Sequence, residues 1–338
     1  MSGSSFRALL AEADGQGRVA ASVRELDESR LLPDGLPEGE VLVRVEHSSL
    51  NYKDGMAVAG RPGVVRSYPI VPGIDVVGVV ERSADPRWQA GQRLVVNGAG
   101  LGESRDGGYA QLAVVPGGSA VPVPGSLSPW AAAAIGTAGD TAALSVLALE
   151  RAGVRPEDGD ILVTGASGGV GTIAIALLAR AGYRVVASTG RVQERGEALR
   201  ALGAAEVVDR AELSEPGRPL QKARFAGAVD SVGGVTLANV LASTAYGGTV
   251  TCCGLVQGAE LPATVMPFIL RAVSLVGVNS VNTPLPQRMA AWQRLGSALD
   301  ESFLRANAEE IGLEQLPAAA ERILAGRVHG RTVVTPSL

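Results

Sequence analysis

The chain has only two cysteines in 338 residues, and they are adjacent (Cys252 and Cys253), so no disulfide framework holds it together. Histidine is as scarce. His47 and His329 are too few and too widely separated to suggest a metal site. Lysine is almost missing, since Lys53 and Lys222 are the only two among 30 basic residues, and codon bias in an Arg-rich genome accounts for that. A net charge of -4 leaves no basic excess of the kind that nucleic acid attracts. The apolar run Val265 to Val278 is interrupted by Arg271 and falls short of the roughly 20 residues a membrane helix needs. The opening MSGSSFRALLAEADG lacks the charged start, apolar core and cleavage site of a signal peptide. The expectation is a cytoplasmic protein without nucleic-acid or membrane partners.

What is present reads as an ordinary globular protein: 46% apolar residues, 19% charged residues and 44 glycines for tight turns. The length is about that of two domains. Up to about Pro124, short alternating runs such as VLVRVEHSSL, VVGVVE and RLVV, broken by Gly and Pro, indicate an all-β domain. An Ala-rich helix follows from Pro129 to Glu150, with a break expected at Gly136 or Gly139. From Ile161, strands alternate with helices, the pattern of a doubly wound parallel sheet. Beyond Val281, two helices (Met289 to Leu299 and Leu316 to Leu324) and a closing strand, RTVV, lack a core of their own. The expected fold class is α/β, divided into residues 1–127, 128–280 and a segment 281–338 that returns to the first domain.

The turn Gly165-Ala166-Ser167-Gly168-Gly169-Val170-Gly171 lies between an apolar strand and a helix. It fits the dinucleotide fingerprint with Ala166 in place of the first glycine. Gly168 lets backbone approach a pyrophosphate, Gly171 lets helix pack on strand, and the helix N-terminus offers unpaired N–H groups. The same letters also fit the G-x-S-x-G elbow of a hydrolase, with Ser167 as nucleophile and Asp230 and His329 in the hydrolase order. Against that stand the β domain before the turn and the complete βαβ pattern after it.

Twenty or so residues past the glycines, an NAD site places a carboxylate on the ribose hydroxyls. Here VVASTGR ends in Arg191. A guanidinium suits a 2′-phosphate, to which each charge-assisted hydrogen bond is worth about 1.5 to 3 kcal/mol. Ser188, Thr189 and the Gly190 N–H add neutral donors. The expected cofactor is NADPH; a surface Arg in an Arg-rich chain is the competing explanation.

SSLNYKD (48–54) and VPGIDVVG (71–78) extend the pattern. With them, the chain resembles the medium-chain dehydrogenase/reductase superfamily over essentially its whole length: a GroES-like β-rich catalytic domain and a Rossmann domain. Zinc alcohol dehydrogenases of that superfamily carry a Cys within the span of Asn51 to Asp54 and Gly-His-Glu in place of Gly73-Ile74-Asp75, so the metal ligands are missing. SLNYKD, PGIDVVG, GTAGDTA, TGASGGVG, STGR, CGL and VMPFILR followed by GVNSV are similar to the NADPH-dependent acrylyl-CoA reductase (AcuI/YhdH) family. The resemblance implies metal-free, NADPH-dependent reduction of acryloyl-CoA to propionyl-CoA, in a cleft between the domains. A quinone or enone oxidoreductase of the same fold, or a non-catalytic NADPH-binding protein, remains an alternative. It further implies catalytic roles for Tyr52, Lys53 and Asp54, although ordinary packing at a strand end also accounts for Tyr52. The implied cofactor residues are Tyr52, Ser167, Gly168, Gly169, Val170, Thr189, Gly190, Arg191, Arg210, Leu255, Ile269, Ser280 and Arg331, with a solvated surface Arg the competing explanation for Arg210. Arg61 and Arg66, in a loop beyond NYKD, are candidates for the CoA phosphates, although solvated loop charge explains them as well. An exposed sheet edge would favour a homodimer.

Overall fold

The computed structural model describes residues 5–338. The chain forms two compact units: one runs to Thr137 and resumes at Ser280, and the other takes Ala138–Asn279. The first boundary falls ten residues later than the composition indicates, and the second one residue earlier. The reason is local. The helical run Pro129–Arg151 is broken at Gly136, which adopts φ 49° and ψ -159°, and its first half bonds within the first unit. Trp130 Nε1 donates to Glu310 at 3.0 Å, and the carbonyl of Ala134 accepts from Arg331 Nε at 2.8 Å. This run is the one helix among the described residues long and apolar enough to cross a membrane, yet 89% of its most apolar window is buried inside the protein.

In the first unit, an antiparallel hairpin (Ser5–Ala13 with Val19–Asp27) lies beside a seven-stranded sheet. Strand Glu40–Ser49 pairs antiparallel with Asp75–Ser83, with Leu112–Pro116 and with the C-terminal strand Arg331–Val334. The last pairing sets Val333 opposite Ser49, which brings Arg331 to the end of the strand that leads into Asn51. The tail beyond Ser280 thus completes the first unit, and Leu313, Leu316 and Ala320 join Phe6, Leu9 and Tyr109 in its core.

The sequence shows a strand end at Tyr52; the structure shows the first residue of a helix, Tyr52–Val58. Seven residues with a central glycine carry too little periodicity to announce a helix. Docking against Leu316–Leu324 decides the matter: a Cβ on Gly55 would come within 2.6 Å of Ile323 Cγ2, so only glycine permits the approach.

The second unit is a six-stranded parallel sheet. Its strands stand in the order Ala204–Asp209, Val185–Thr189, Asp160–Val163, Phe225–Asp230, Thr244–Cys252 and Ser274–Gly277. Numbered along the chain, that is 3-2-1-4-5-6, the arrangement of a dinucleotide-binding domain. Leu162, Val186, Ala228 and Val250, one from each of four neighbouring strands, meet Leu237, Val240 and Leu241 in one core cluster.

Candidate functional site

The glycine turn occupies the carboxyl end of the first strand of the parallel sheet, where open α/β sheets bind ligands. Gly168 caps the helix Gly169–Arg180, whose first-turn N–H groups have no intrahelical partner. A Cβ on Gly171 would lie 2.5 Å from the Gly165 carbonyl and 2.6 Å from Ala166 Cα, so glycine there lets the helix start against the turn. Gly165 adopts φ +58°. Behind the turn, the buried carboxyl of Asp230 accepts from Thr164 Oγ1 at 2.6 Å and from the Gly233 N–H at 2.8 Å, and burial raises its pKa.

Five of the residues picked from the sequence come together beside this turn. Ser167 Oγ lies 3.2 Å from Thr189 Oγ1 and accepts from Arg191 Nη2 at 3.1 Å. Arg210 lies across Gly190, where a side chain would collide with its Nε at 2.5 Å, and its N–H donates to the Thr189 carbonyl at 3.1 Å. A third cation escaped the sequence reading: Arg195, one helical turn beyond Arg191. Burial, together with the like charge of Arg191, lowers its pKa, although Glu194 opposes both. The spacing of four residues along a helix was the available signal.

Ser167 therefore has hydroxyl and guanidinium neighbours rather than a base. The Asp230 carboxyl that the hydrolase reading needs for a histidine is instead taken up by Thr164 Oγ1 and the Gly233 N–H, which counts against that reading. Burial pushes the Cys253 thiol up to about 12, away from the thiolate form in which a cysteine is reactive.

The remaining expected residues stand elsewhere. Leu255 follows strand Thr244–Cys252, and Ile269 projects from helix Met266–Arg271; both are exposed and neither joins the hydroxyl–guanidinium cluster. Tyr52, Lys53, Asp54, Ser280 and Arg331 belong to the first unit. There, the Ser280 carbonyl accepts from the fully buried Arg288 at 2.8 Å.

The first unit contains a buried polar network. Asp75 accepts from Ser49 Oγ, from Asn51 Nδ2 at 2.8 Å, from Asn97 Nδ2 at 2.6 Å, and from the N–H and hydroxyl of Thr137. Arg331 donates to Ser49 Oγ at 2.8 Å and to Asn51 Oδ1 at 3.2 Å. Asp54, only 1% exposed, accepts from Asn51 N–H (2.9 Å), Asn51 Nδ2 (3.0 Å) and the Ile74 N–H (2.9 Å). Burial foremost, and then the charge of Asp75, raises its pKa from 3.8 to about 7. Asp54 is too enclosed to touch a bound molecule, so its influence passes through Asn51 and the helix that Asn51 opens. Tyr52 is half exposed, while Lys53 Nζ is paired with Glu103 at 2.6 Å. The role of Asp75 was missed because its position was read only as a lost zinc ligand.

This donor set does not fit zinc. A tetrahedral zinc site needs converging lone pairs from thiolate, imidazole or free carboxylate. Asp75 instead faces N–H and O–H groups that direct protons at both of its oxygens, and no group of three metal-ligating side chains occurs among the described residues.

Two family models match the chain: residues 37–125 the alcohol dehydrogenase GroES-like domain, and residues 169–295 the zinc-binding dehydrogenase. A β-rich unit joined to a 3-2-1-4-5-6 parallel sheet defines the class of medium-chain dehydrogenases/reductases. Acrylyl-CoA reductase AcuI of Ruegeria pomeroyi is 46% identical over 331 residues, covering 97% of this chain and 98% of that protein. The crystal structure of Escherichia coli K-12 YhdH with bound NADPH superposes with a TM-score of 0.92 at 52% identity, covering 97% of this chain and 99% of the other. Bacillus subtilis YhfP, crystallised with NAD bound, superposes with a TM-score of 0.92 at 45% identity, over 98% and 99%. The chain belongs to the acrylyl-CoA reductase (AcuI/YhdH) family of the medium-chain dehydrogenase/reductase superfamily.

Proposed function

We propose that this chain reduces the carbon–carbon double bond of an α,β-unsaturated acyl-CoA, acryloyl-CoA to propionyl-CoA, with NADPH. The observation that carries the reading is the cluster of Arg191 and Arg210 around Gly190, beside a glycine turn, in a chain of this family. NADPH, when bound, supplies a hydride for the β-carbon. The first-turn N–H groups of Gly169 and Val170 receive the pyrophosphate, and Arg191 and Arg210, with the Thr189 hydroxyl, receive the 2′-phosphate.

The chain's own part in the chemistry is to stabilise negative charge on the thioester oxygen and to supply a proton for the α-carbon. The half-exposed Tyr52 phenol donates a hydrogen bond to the carbonyl, Lys53 is held beside it by Glu103, and Asp54 keeps a proton near neutrality inside the network under Asn51. Arg61 and Arg66, exposed in the loop after this helix, serve the CoA phosphates.

A homodimer in the reducing cytosol completes the proposal. The strand Ser274–Gly277 stands at one end of the parallel sheet, and on the helix Met266–Arg271 that leads into it Ile269 and Leu270 are exposed, Ile269 by 71%. An apolar surface of that kind next to the end of a sheet supports pairing with a second copy. Both cysteines are free thiols, in keeping with a reducing compartment.

Loss of NADPH absorbance with acryloyl-CoA, crotonoyl-CoA and a quinone, each repeated with NADH, tests the activity. The proposal requires acryloyl-CoA with NADPH to give the highest kcat/KM. A higher value with the quinone would instead make the chain a quinone oxidoreductase, the activity for which the 45%-identical Bacillus subtilis relative is named.

A further inference from the structure

Arg191 is reached by two hydroxyls. Its Nη2 donates to Ser167 Oγ at 3.1 Å, its backbone N–H to Thr189 Oγ1 at 3.3 Å, and the hydroxyls stand 3.2 Å apart. Ser167 is buried, so its Oγ has little water to turn to. The residue belongs to the phosphate-binding turn, while Arg191 caps the helix after the next strand, so one oxygen ties the two parts together. A force acts against that tie. Arg195 lies one helical turn further on, its N–H bonded to the Arg191 carbonyl at 2.8 Å, and the two guanidinium groups repel each other. Arg carries many rotamers, and freezing them weakens binding unless the side chain is already in position.

We propose that Ser167 is a positioning residue for cofactor selectivity: its hydroxyl holds the Arg191 guanidinium where an adenosine 2′-phosphate arrives. The role rests on the reading above that Arg191 meets that phosphate. It is separate from any contact that the turn makes with the pyrophosphate, which NADPH and NADH share.

Dissociation constants for NADPH and NADH, measured by fluorescence titration of the full chain, separate the possibilities. Ser167→Ala is expected to lower the preference for NADPH over NADH by about tenfold, the lower end of what a hydrogen bond to a charged group contributes. In an Arg191→Ala background, the same change is expected to move the preference by less than about twofold, because the group to be positioned is gone. Equal weakening of both dinucleotides by Ser167→Ala, or an undiminished effect in the Arg191→Ala background, overturns the role of Ser167. If Arg191→Ala alone leaves the preference unchanged, the assignment of Arg191 is what fails; a preference lost in Arg191→Ala but kept in Ser167→Ala overturns the positioning role only.

Discussion

Replacing Asp54 by Asn should change how stability depends on pH in a direction opposite to that of most carboxylates. Paired surface carboxylates are held below their ordinary pKa and stabilise a fold as pH rises. Asp54 is raised from 3.8 to about 7 by burial and by Asp75, so between those values the folded chain holds a proton that the unfolded chain has released. Stability is then lost as pH rises through that window. The interval of about three pH units amounts to about 4 kcal/mol at 1.36 kcal/mol per unit. Asn is isosteric and does not ionise. It forfeits part of the acceptance from Asn51 and Ile74 at every pH but escapes the cost of a buried charge. The stability of Asp54→Asn relative to the unmodified chain should therefore improve by about 3 to 4 kcal/mol from pH 4 to pH 8. Urea unfolding followed by tryptophan fluorescence reads the relevant unit, because Trp88, Trp130 and Trp292 all belong to the first. If the two proteins keep a constant difference across that range, Asp54 does not titrate between the folded and unfolded states as described.

Three further outcomes follow from the same structure. Arg331→Gln removes the cation from a buried network holding two carboxylates and should cost about 3 to 5 kcal/mol by thermal or urea unfolding. Gly136→Ala places a Cβ at 2.6 Å from Ser49 Oγ, 2.7 Å from Asp75 Oδ2 and 2.8 Å from Arg331 Nη2, at a φ of 49°. A loss of more than about 2 kcal/mol is expected, and an unchanged melting temperature would contradict it. The proposed homodimer predicts that Ile269→Asp, which puts a charge on the exposed helix Met266–Arg271, lowers the mass seen by light scattering at micromolar concentration from dimer to monomer; a dimeric mass kept by the variant would remove this helix from the proposed interface, and a monomeric parent chain would refute the dimer.

Local chemistry in the sequence decided the cofactor half of the molecule. Strand, glycine turn, helix and the Arg at the end of the second strand are contiguous, and each depends on backbone geometry that a few adjacent residues impose. The pattern that identifies the turn is therefore legible without a structure, as are the helix Leu316–Leu324 and the strand Arg331–Val334. Hydrophobic periodicity likewise separated the β-rich part from the alternating one. The boundary was placed wrongly because one helical run serves both units, and only packing shows that Gly136 divides it.

The tertiary structure alone decided the environment of the carboxylates. Asp54, Asp75, Asn97, Thr137 and Arg331 are scattered over nearly the whole chain, and no spacing rule joins them. The C-terminal strand had to pair with Glu40–Ser49 before Arg331 could reach Ser49 and Asn51. Burial, a property of the assembled core rather than of any residue, together with the charge of Asp75, raises the pKa of Asp54 to about 7.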